Sequence, residues 1–420
     1  MNRRTHVSAL ALVAALLAAV ATAVSPAGAQ DTTSSTTPPD PPPSIQPPGV
    51  YVEEQPAGAA VATDASGILL AVGSGTPSSS ASPSNPVEVT SLDEFTSLVQ
   101  NPSTLLANGM DAFFGLGGSV AYVQLTRDES AASLAAGLDD VSLPLGSFDL
   151  IAVPAIAQLD VAGHQSVAIA ADQLATRTDS VVLLDTPDEI AATEDPATVV
   201  PWAVALDTAL PAGDAVMVVS AGLLGQEQQL VPGSLAVAGL VAADDAQHGF
   251  GALGVGGLGQ PLTDYEPVWP VTNDQVDALL IGGVNSFRDV VGYGTLLWGN
   301  AMMSSSEADP ARHLPLGPRR VLAQIERTMT LVAQAAVFDD NDQETWDDLT
   351  LQLDAYLTGL WQDGALVGST PSEAYSVSVG LDTTMTEQDV LNGYMVITVE
   401  AAVVEPAEFV PVTITQEMAD

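Results

Sequence analysis

The run Val181-Val182-Leu183-Leu184-Asp185 decides the architecture of the middle of this chain. Four apolar residues in a row, two of them β-branched, are typical of a strand that is buried on both faces of a sheet. Similar short runs occur at residues 150–154 and 215–219, and alanine-rich stretches with helical spacing separate the three runs. This alternation predicts βαβ units around a mostly parallel sheet.

Upstream of this run, the sequence predicts two more strands and one helix. Residues 68–73 (ILLAVG) and 119–125 (SVAYVQL) are apolar enough to be strands. Ser91 is placed as a helix N-cap, with Glu94 three residues later as its capping-box partner. Residues 249–259 are too rich in glycine for regular structure, so we expect them to close this unit. The mixed βα middle domain is therefore predicted over residues 86–265.

Downstream, the pattern changes to α+β, and a second domain is predicted over residues 266–420. Apolar residues recur at helical spacing over 321–332 and again over 346–360. Asn341 and Glu344 are placed as a capping box for the second of these helices. Residues 374–379 and 394–399 then alternate as strands do. The predicted fold class is thus α/β followed by α+β.

An isolated extended segment, Pro48-Gly49-Val50-Tyr51-Val52-Glu53, lies far from both domains. Its β-branched and aromatic residues favour a strand, and the Pro-Gly pair favours a turn before it. A spacer of Thr, Ser and Pro over residues 30–48 precedes it and is expected to be extended. Two interpretations stay open: the segment adds to a sheet edge of a neighbouring subunit, or it forms an edge strand within its own chain. Residues 49–85 are accordingly predicted to hold an arm and the first strand.

Residues 1–29 have the three parts of a secretory signal peptide. Arg3 and Arg4 precede an apolar run that is followed by the small-residue site Ala27-Gly28-Ala29. Cleavage after Ala29 predicts an exported, extracellular chain with no membrane segment in its mature form. An uncleaved membrane anchor stays open, because the apolar run approaches the length that a spanning helix needs. A filament held at the cell surface also stays open.

The composition is strongly acidic, with 52 Asp and Glu against 9 basic residues, all of them Arg, and a formal net charge of −43. The mature chain would carry 7 − 52 = −45, because the predicted leader holds two Arg and no acid. Such a charge excludes nucleic acid as a natural partner. It suits a saline habitat, where salt screens self-repulsion, or else reflects a genome that avoids Lys. The chain has no cysteine, so it must be stabilised without disulfides.

Short motifs along nearly the whole mature chain resemble, in the same order, those of the contractile tail sheath family, which includes phage tails and extracellular injection systems. The resemblance rests on Pro48-Gly49-Val50-Tyr51-Val52 and on residues 111–114, 117–118, 121–123, 181–187, 231–234, 237–239, 283–285, 297–299, 319–320, 325–326, 338, 346, 364–368, 384–386, 392–393 and 406–410. Each motif is weak alone, but their order indicates a common fold and a common mode of assembly.

The resemblance implies a subunit that polymerises helically, with both chain ends lending strands to the sheets of adjacent subunits. Residues 48–53 would be the N-terminal donor, and a C-terminal strand containing Phe409, Val410, Val412 and Ile414 would be the other. At several positions where the family commonly has arginine, this chain is neutral or acidic. Assembly is therefore expected to depend on strand addition and apolar contacts more than on charge pairs.

The expected function is a secreted, non-enzymatic structural subunit of an extracellular tube or filament, whose main partner is itself. Two alternatives stay open. One is a conventional contractile sheath around an inner tube protein, and the other is a degenerate hydrolase, because the family's middle domain resembles subtilisin. Against hydrolysis, Ser234 comes before His248 in the chain, the reverse of the subtilisin order, and no nucleophile motif surrounds Ser234.

No cofactor and no metal site is expected. Asp340, Asp342 and Glu344 have alternate spacing, but the glycine and the bidentate glutamate of a calcium loop are missing. Arg319 and Arg320 open a helix, where positive charge is unfavourable. We expect them either to pair with acids of a neighbouring subunit or domain, and so to be charge contacts between subunits, or to be a solvated pair.

Overall fold

The computed structural model describes residues 66–78, 86–250, 261–303, 314–403 and 409–418, which all lie in one compact unit. Its strands are β1 (Leu69–Ser74), β2 (Thr76–Pro77), β3 (Val87–Val89), β4 (Val99–Gln100), β5 (Ala121–Thr126), β6 (Leu150–Ala152), β7 (Val181–Asp185), β8 (Val216–Val219), β9 (Leu223–Leu224), β10 (Leu230–Val231), β11 (Glu266–Pro267), β12 (Val284–Val290), β13 (Gly294–Trp298), β14 (Tyr375–Val379), β15 (Tyr394–Ala402) and β16 (Phe409–Glu417). Its helices are α1 (Leu92–Leu98), α2 (Thr104–Leu116), α3 (Ala131–Asp139), α4 (Val161–Thr178), α5 (Asp188–Ala191), α6 (Pro196–Ala209), α7 (Gly233–His248), α8 (Asn273–Ile281), α9 (Leu316–Ala335), α10 (Gln343–Gln362), α11 (Pro371–Ala374) and α12 (Glu387–Leu391).

The centre of the molecule is an eight-stranded sheet in the order β13-β12-β8-β7-β6-β1-β5-β3. The pairs from β5 across to β12 are parallel, whereas β3 and β13 pair antiparallel at the two edges. Strand β7, with which the sequence analysis began, is fully buried and lies between β6 and β8. The predicted mostly parallel sheet is confirmed, and so is the predicted fold class.

Alternate residues of each central strand contribute to two separate cores. Leu183 packs with α1, α2 and α7 on one face of the sheet, and its neighbour Leu184 packs with α3, α4, α6 and α8 on the other. Burying a leucine side chain stabilises a fold by roughly 1.5–3 kcal/mol. A strand covered on both faces therefore needs a continuous apolar run, which is why β7 could be recognised in the sequence.

The predicted domain boundary at residues 265 and 266 is wrong. Strand β12 pairs with β8 in parallel, and the hairpin of β12 and β13 completes one edge of the large sheet. Helix α8 also packs on this sheet. The glycine-rich stretch that suggested a boundary lies mostly outside the described residues, at 251–260. Strand β1, predicted as part of an arm region, is likewise a central strand of the same sheet.

The C-terminal part forms a third core around helices α9 and α10 and a small sheet in the order β14-β15-β16. Apolar residues of α9, including Ile325 and Met329, face Leu353 and Leu357 of α10. The predicted helices and strands of this region are confirmed. Helix α10 is amphipathic and buries one stripe of side chains, whereas α9 is buried on nearly all sides from Leu316 to Met329.

The helix caps were only partly predicted. Ser91 caps α1 by accepting a bond from the Glu94 backbone, as expected, although the Glu94 carboxylate binds Thr90 instead of Ser91. The predicted cap of α10 at Asn341 is wrong. Asp342 caps this helix, and Asn341 instead accepts a bond from the indole of Trp346. Within the described ranges, no helix combines the length and the apolarity of a membrane span.

Candidate assembly site

Strand β15 is the centre of the C-terminal sheet. Its residues Met395, Ile397, Val399 and Ala401 are fully buried against the third core, whereas intervening residues are more exposed. It pairs antiparallel with β14 over five residues and with β16 over nine. This three-stranded sheet therefore has one buried face and two edge strands, β14 and β16.

The structure places the predicted C-terminal donor residues in β16. Phe409 and Val410 pair with Ala402 and Ala401, and Val412 and Ile414 pair with Val399 and Ile397. Within this single chain, β16 thus completes its own sheet. The predicted donation of this strand to a neighbouring subunit stays a prediction. The same register would be available to a strand from another subunit, because main-chain bonds carry the pairing.

The other edge of this sheet, β14, has no strand partner besides β15 among the described residues. A groove of about 560 Å³ runs between β14 and α10. Leu351 on its wall is 67% exposed. At its base, Tyr375 bonds through its hydroxyl to Thr358 and to the Asp354 carboxylate. An exposed edge with a half-apolar groove beside it is a ready acceptor for an extended segment.

The predicted N-terminal donor, Pro48, Gly49, Val50, Tyr51, Val52 and Glu53, lies outside the described residues. The first described residue after it is Ser66, whose hydroxyl donates to Asp245 at 2.6 Å. Gly67 follows with a φ of +65°, and a Cβ at this position would lie 2.7 Å from the Cα of Ala242. The chain therefore enters the fold pressed against the last turns of α7, at a position where only glycine fits.

Arg319 and Arg320 are both buried and make their ion pairs within the chain. Arg320 is 1% exposed and binds Asp149 at 2.5 Å and Asp245 at 2.6 Å. Arg319 lies 3.4 Å from Glu326 and 3.8 Å from Asp214. The predicted contact between subunits is therefore replaced by contacts within the subunit. The expectation of acids from another domain does hold for Arg320, because Asp149 and Asp245 belong to the large-sheet part.

The electrostatics of Arg320 favour its charged form. Burial by itself would lower the pKa of its guanidinium, but the carboxylates of Asp149 and Asp245 outweigh burial and raise that pKa. Its plane also stacks on the ring of Phe250, 4.9 Å from the centroid. Because Ser66 and the Ile68 amide bind the same two carboxylates, we call Ser66, Ile68, Asp149, Asp245 and Arg320 the Arg320 node.

Comparison with known proteins identifies the fold. A model of the phage tail sheath C-terminal domain matches residues 315–417, which contain α9, α10 and the whole β14-β15-β16 sheet. The helical sheath of the anti-feeding prophage in its contracted state is 26% identical, with a TM-score of 0.65 over 88% of this chain and 99% of that chain. The C-terminal part of this chain therefore matches a tail sheath domain, and its fold resembles that of solved sheath proteins.

Other solved sheath structures share this architecture. A chain in the anti-feeding prophage baseplate is 27% identical, with a TM-score of 0.64 over 89% of this chain and 99% of that chain. The sheath complex of an extracellular contractile injection system, PVC, in its contracted state is 24% identical, with a TM-score of 0.64 over 88% of this chain and 98% of that chain. The sheath tail protein of Desulfitobacterium hafniense is 13% identical, with a TM-score of 0.57 over 88% of this chain and 100% of that one, and supports the fold alone. A search of curated proteins gave no match.

The residues that suggested a hydrolase have a structural role in this fold. Ser234 is fully buried and donates at 2.5 Å to Asp185, which also accepts from the Ser234 backbone. Asp185 thereby caps the N-terminus of α7, where Pro232 offers no capping side chain. The imidazole of His164 contacts only the carbonyl of Asp185 in this cluster, at 2.9 Å, and burial lowers its pKa to about 4. His248 binds Asp244, so neither of the two histidines that the structure describes, His164 and His248, makes a hydrogen bond to Ser234.

The acids around position 342 also have a structural role. Asp342 uses its carboxylate to cap α10, as described above. Among the described residues, no group of three or more His, Asp or Glu side chains could hold a metal ion. The alternate spacing of these acids therefore follows from the preference of helix N-termini for negative charge.

Sequence reasoning missed most of the Arg320 node. Asp149 precedes β6 and Asp245 lies in the last turn of α7. The chain has 50 other acidic residues, and nothing in the local sequence distinguishes these two from them. Arg327 was also missed. It is fully buried and donates to the carbonyl of Asp179 at 2.9 Å. One usable signal existed: three of the seven arginines of the mature chain lie on α9.

Proposed function

We propose that the mature chain is a structural, non-enzymatic sheath subunit that polymerises with its own copies into a helical tube by exchanging β-strands. The observation that carries this proposal is the C-terminal sheet, whose strand β14 pairs only with β15 in the part of the chain that the structure describes, within the segment that the tail sheath model matches. The N-terminal segment at residues 48–53 is the proposed donor to that edge. The C-terminal strand β16 is the proposed second exchanged strand. In the filament it would pair with β15 of a neighbouring subunit in place of β15 of its own subunit.

The arm is long enough for this role. Val52 lies 66 − 52 = 14 residues before Ser66, where the described chain enters the fold. Fully extended, 14 residues reach roughly 46–50 Å, which exceeds the diameter of a small domain. Strand addition also suits a chain with a net charge near −45, because its main-chain hydrogen bonds need no pairs of opposite charge.

We further propose that assembly takes place outside the cell, after cleavage near Ala29. The leader-like residues 1–29 support export, and the acidic composition supports a saline environment. A filament retained at the cell surface remains part of this proposal, through an uncleaved leader. The N-terminal sequence of exported material should begin near Gln30, and material that retains residues 1–29 would favour the anchored form.

A conventional contractile sheath is the second candidate. It is favoured by the likeness to sheath structures described in their contracted state and to a baseplate structure. This candidate adds an inner tube protein and a baseplate as partners. Affinity purification of the full chain from its native source separates the two: a basal complex and a tube protein in stoichiometric amounts favour the contractile machine, and filaments of this chain alone favour the first proposal.

Deletion of the arm tests polymerisation. Removing residues 30–55 should leave a folded monomer that forms no filaments by electron microscopy, because the described core begins at Ser66. The matched control removes only residues 30–47, which keeps the arm but loses the spacer, and should still polymerise. Filaments formed by the first variant would refute the role of the arm.

Cysteine cross-linking tests which edge accepts the arm. The chain has no cysteine, so each introduced thiol is unique. A Val52→Cys chain mixed with a Ser376→Cys chain, which places the second thiol on β14, should form a disulfide-linked pair on oxidation. The control partner, Thr413→Cys on β16, should not. The opposite pattern would move the acceptor site to the β16 edge.

A further inference from the structure

The Arg320 node joins three parts of the chain that are far apart in sequence. The root of the N-terminal arm contributes Ser66 and Ile68, the large-sheet part contributes Asp149 and Asp245, and α9 contributes Arg320. Each carboxylate is shared. Asp149 accepts from the Ile68 amide at 2.8 Å and from Arg320, and Asp245 accepts from Ser66 and from Arg320.

Through these shared hydrogen bonds, the side chains of Asp149 and Asp245 connect the arm root to α9. Two carboxylates face one guanidinium, which leaves one excess negative charge in a site that is buried from water. The hydrogen bonds from Ser66 and Ile68 help to offset this charge. If the root moves away, Asp149 and Asp245 lose donors, and Arg320 must reorient to compensate. If Arg320 moves, the root loses the charge balance that holds it.

Helix α9 carries such a change to the acceptor sheet. Ile325 and Met329 of α9 lie in the same core as Met395 and Ile397 of β15, which pairs with β14. Packed cores transmit displacement, because side chains in them have few alternative positions. The arm root at Ser66 and Ile68 and the acceptor sheet of one subunit are thus linked by a continuous set of contacts.

We propose that the Arg320 node couples the two assembly elements of each subunit, so that fixing the donor arm in a neighbour also orders α9 and the acceptor sheet. The functional meaning of this coupling rests on the proposed strand exchange. The coupling itself is a property of one subunit, and it can be present or absent whether or not filaments form.

Hydrogen exchange measured by mass spectrometry on the full mature chain tests the coupling. Ser66→Ala removes the bond from the arm root to the Asp245 carboxylate and leaves every side chain of α9 unchanged. Amides 320–324 of α9 should nevertheless exchange faster, by about tenfold, within the range typical of coupled sites. Conversely, Arg320→Lys keeps the charge but loses the bidentate geometry, and it should accelerate exchange at Ile68, because coupling is reciprocal.

Two matched controls separate coupling from general loss of stability. Ser103→Ala removes a similar hydroxyl that caps α2, and it should leave exchange in α9 unchanged. Arg319→Lys perturbs the neighbouring buried arginine of α9, which pairs with Glu326 and Asp214 and not with the carboxylates of the node, and it should leave exchange at Ile68 unchanged. The proposal is overturned if Ser66→Ala does not affect α9, or if the controls have the same effects. Failure of filament assembly with normal coupling would instead contradict the proposed function.

Discussion

At the scale of single residues, this chain uses buried carboxylates as structural acceptors. Asp185 is the best example, because burial raises its pKa to about 6 even though bonds from Ser234 and the Gly233 backbone lower it. A carboxyl with a higher pKa in the folded than in the unfolded chain stabilises the fold at low pH. Its contribution is lost as pH rises from the ordinary value near 4 through about 6.

Ser234→Ala should therefore destabilise the fold in a pH-dependent way. The hydroxyl donates to the carboxylate of Asp185 and favours its ionised form, so its loss should cost roughly 1–3 kcal/mol of unfolding free energy at pH 8. The loss should be smaller at pH 5, where Asp185 is largely protonated. Urea unfolding at both pH values measures this difference. Ser97→Ala, which removes an exposed hydroxyl bonded to the Glu94 carbonyl, is the control and should cost less than about 0.5 kcal/mol.

At the scale of elements, helix starts show how local patterns succeed and fail. At α1 the sequence pattern and the structure agree on Ser91, since one good capping residue is present. Before α10, Asn341 and Asp342 are both good caps, and the pattern alone could not choose between them. Tertiary structure decides that Asp342 is the cap, because the side chain of Asn341 is already engaged. Its oxygen accepts from the Trp346 indole, and its amide donates to the Tyr394 carbonyl.

Asp342→Ala should therefore destabilise the fold by about 1 kcal/mol, because two backbone amides at the start of α10 lose their acceptor. Glu344→Ala removes the residue that a capping box at Asn341 would use, yet its side chain takes no part in the cap. It should change stability by less than about 0.5 kcal/mol. Thermal unfolding of the two variants side by side distinguishes these caps. Equal losses of stability in the two variants would contradict the cap at Asp342 and favour a capping box of Asn341 and Glu344.

At the scale of the whole molecule, much of the negative charge lies on the surface, whereas the arginines of α9 are buried. Arg319, Arg320 and Arg327 are all buried. Exposed pairs are screened by salt, whereas buried pairs are screened much less. The chain can therefore keep its internal charge contacts in a saline medium while its acidic surface stays hydrated.

Salt should raise the stability of the full mature chain. Between about 0.05 M and 1 M NaCl, the Debye length falls below the spacing of surface charges and self-repulsion is removed. The melting temperature should rise steadily over this range. A control variant with five exposed acids changed to Lys would carry −45 + 10 = −35 and should respond less. These acids are Asp93, Glu227, Asp274, Asp363 and Glu387. A melting temperature that falls with salt would contradict this view.

The sequence by itself determined the order of the elements, the parallel character of the large sheet and the family resemblance. Apolar runs such as residues 181–184 are local, and their periodicity follows directly from which faces are buried. Only the tertiary structure decided the domain boundary, the free edge at β14 and the Arg320 node. These features depend on contacts between residues up to 179 positions apart, as between Ser66 and Asp245, and no local pattern encodes which of 52 acids a buried arginine will meet.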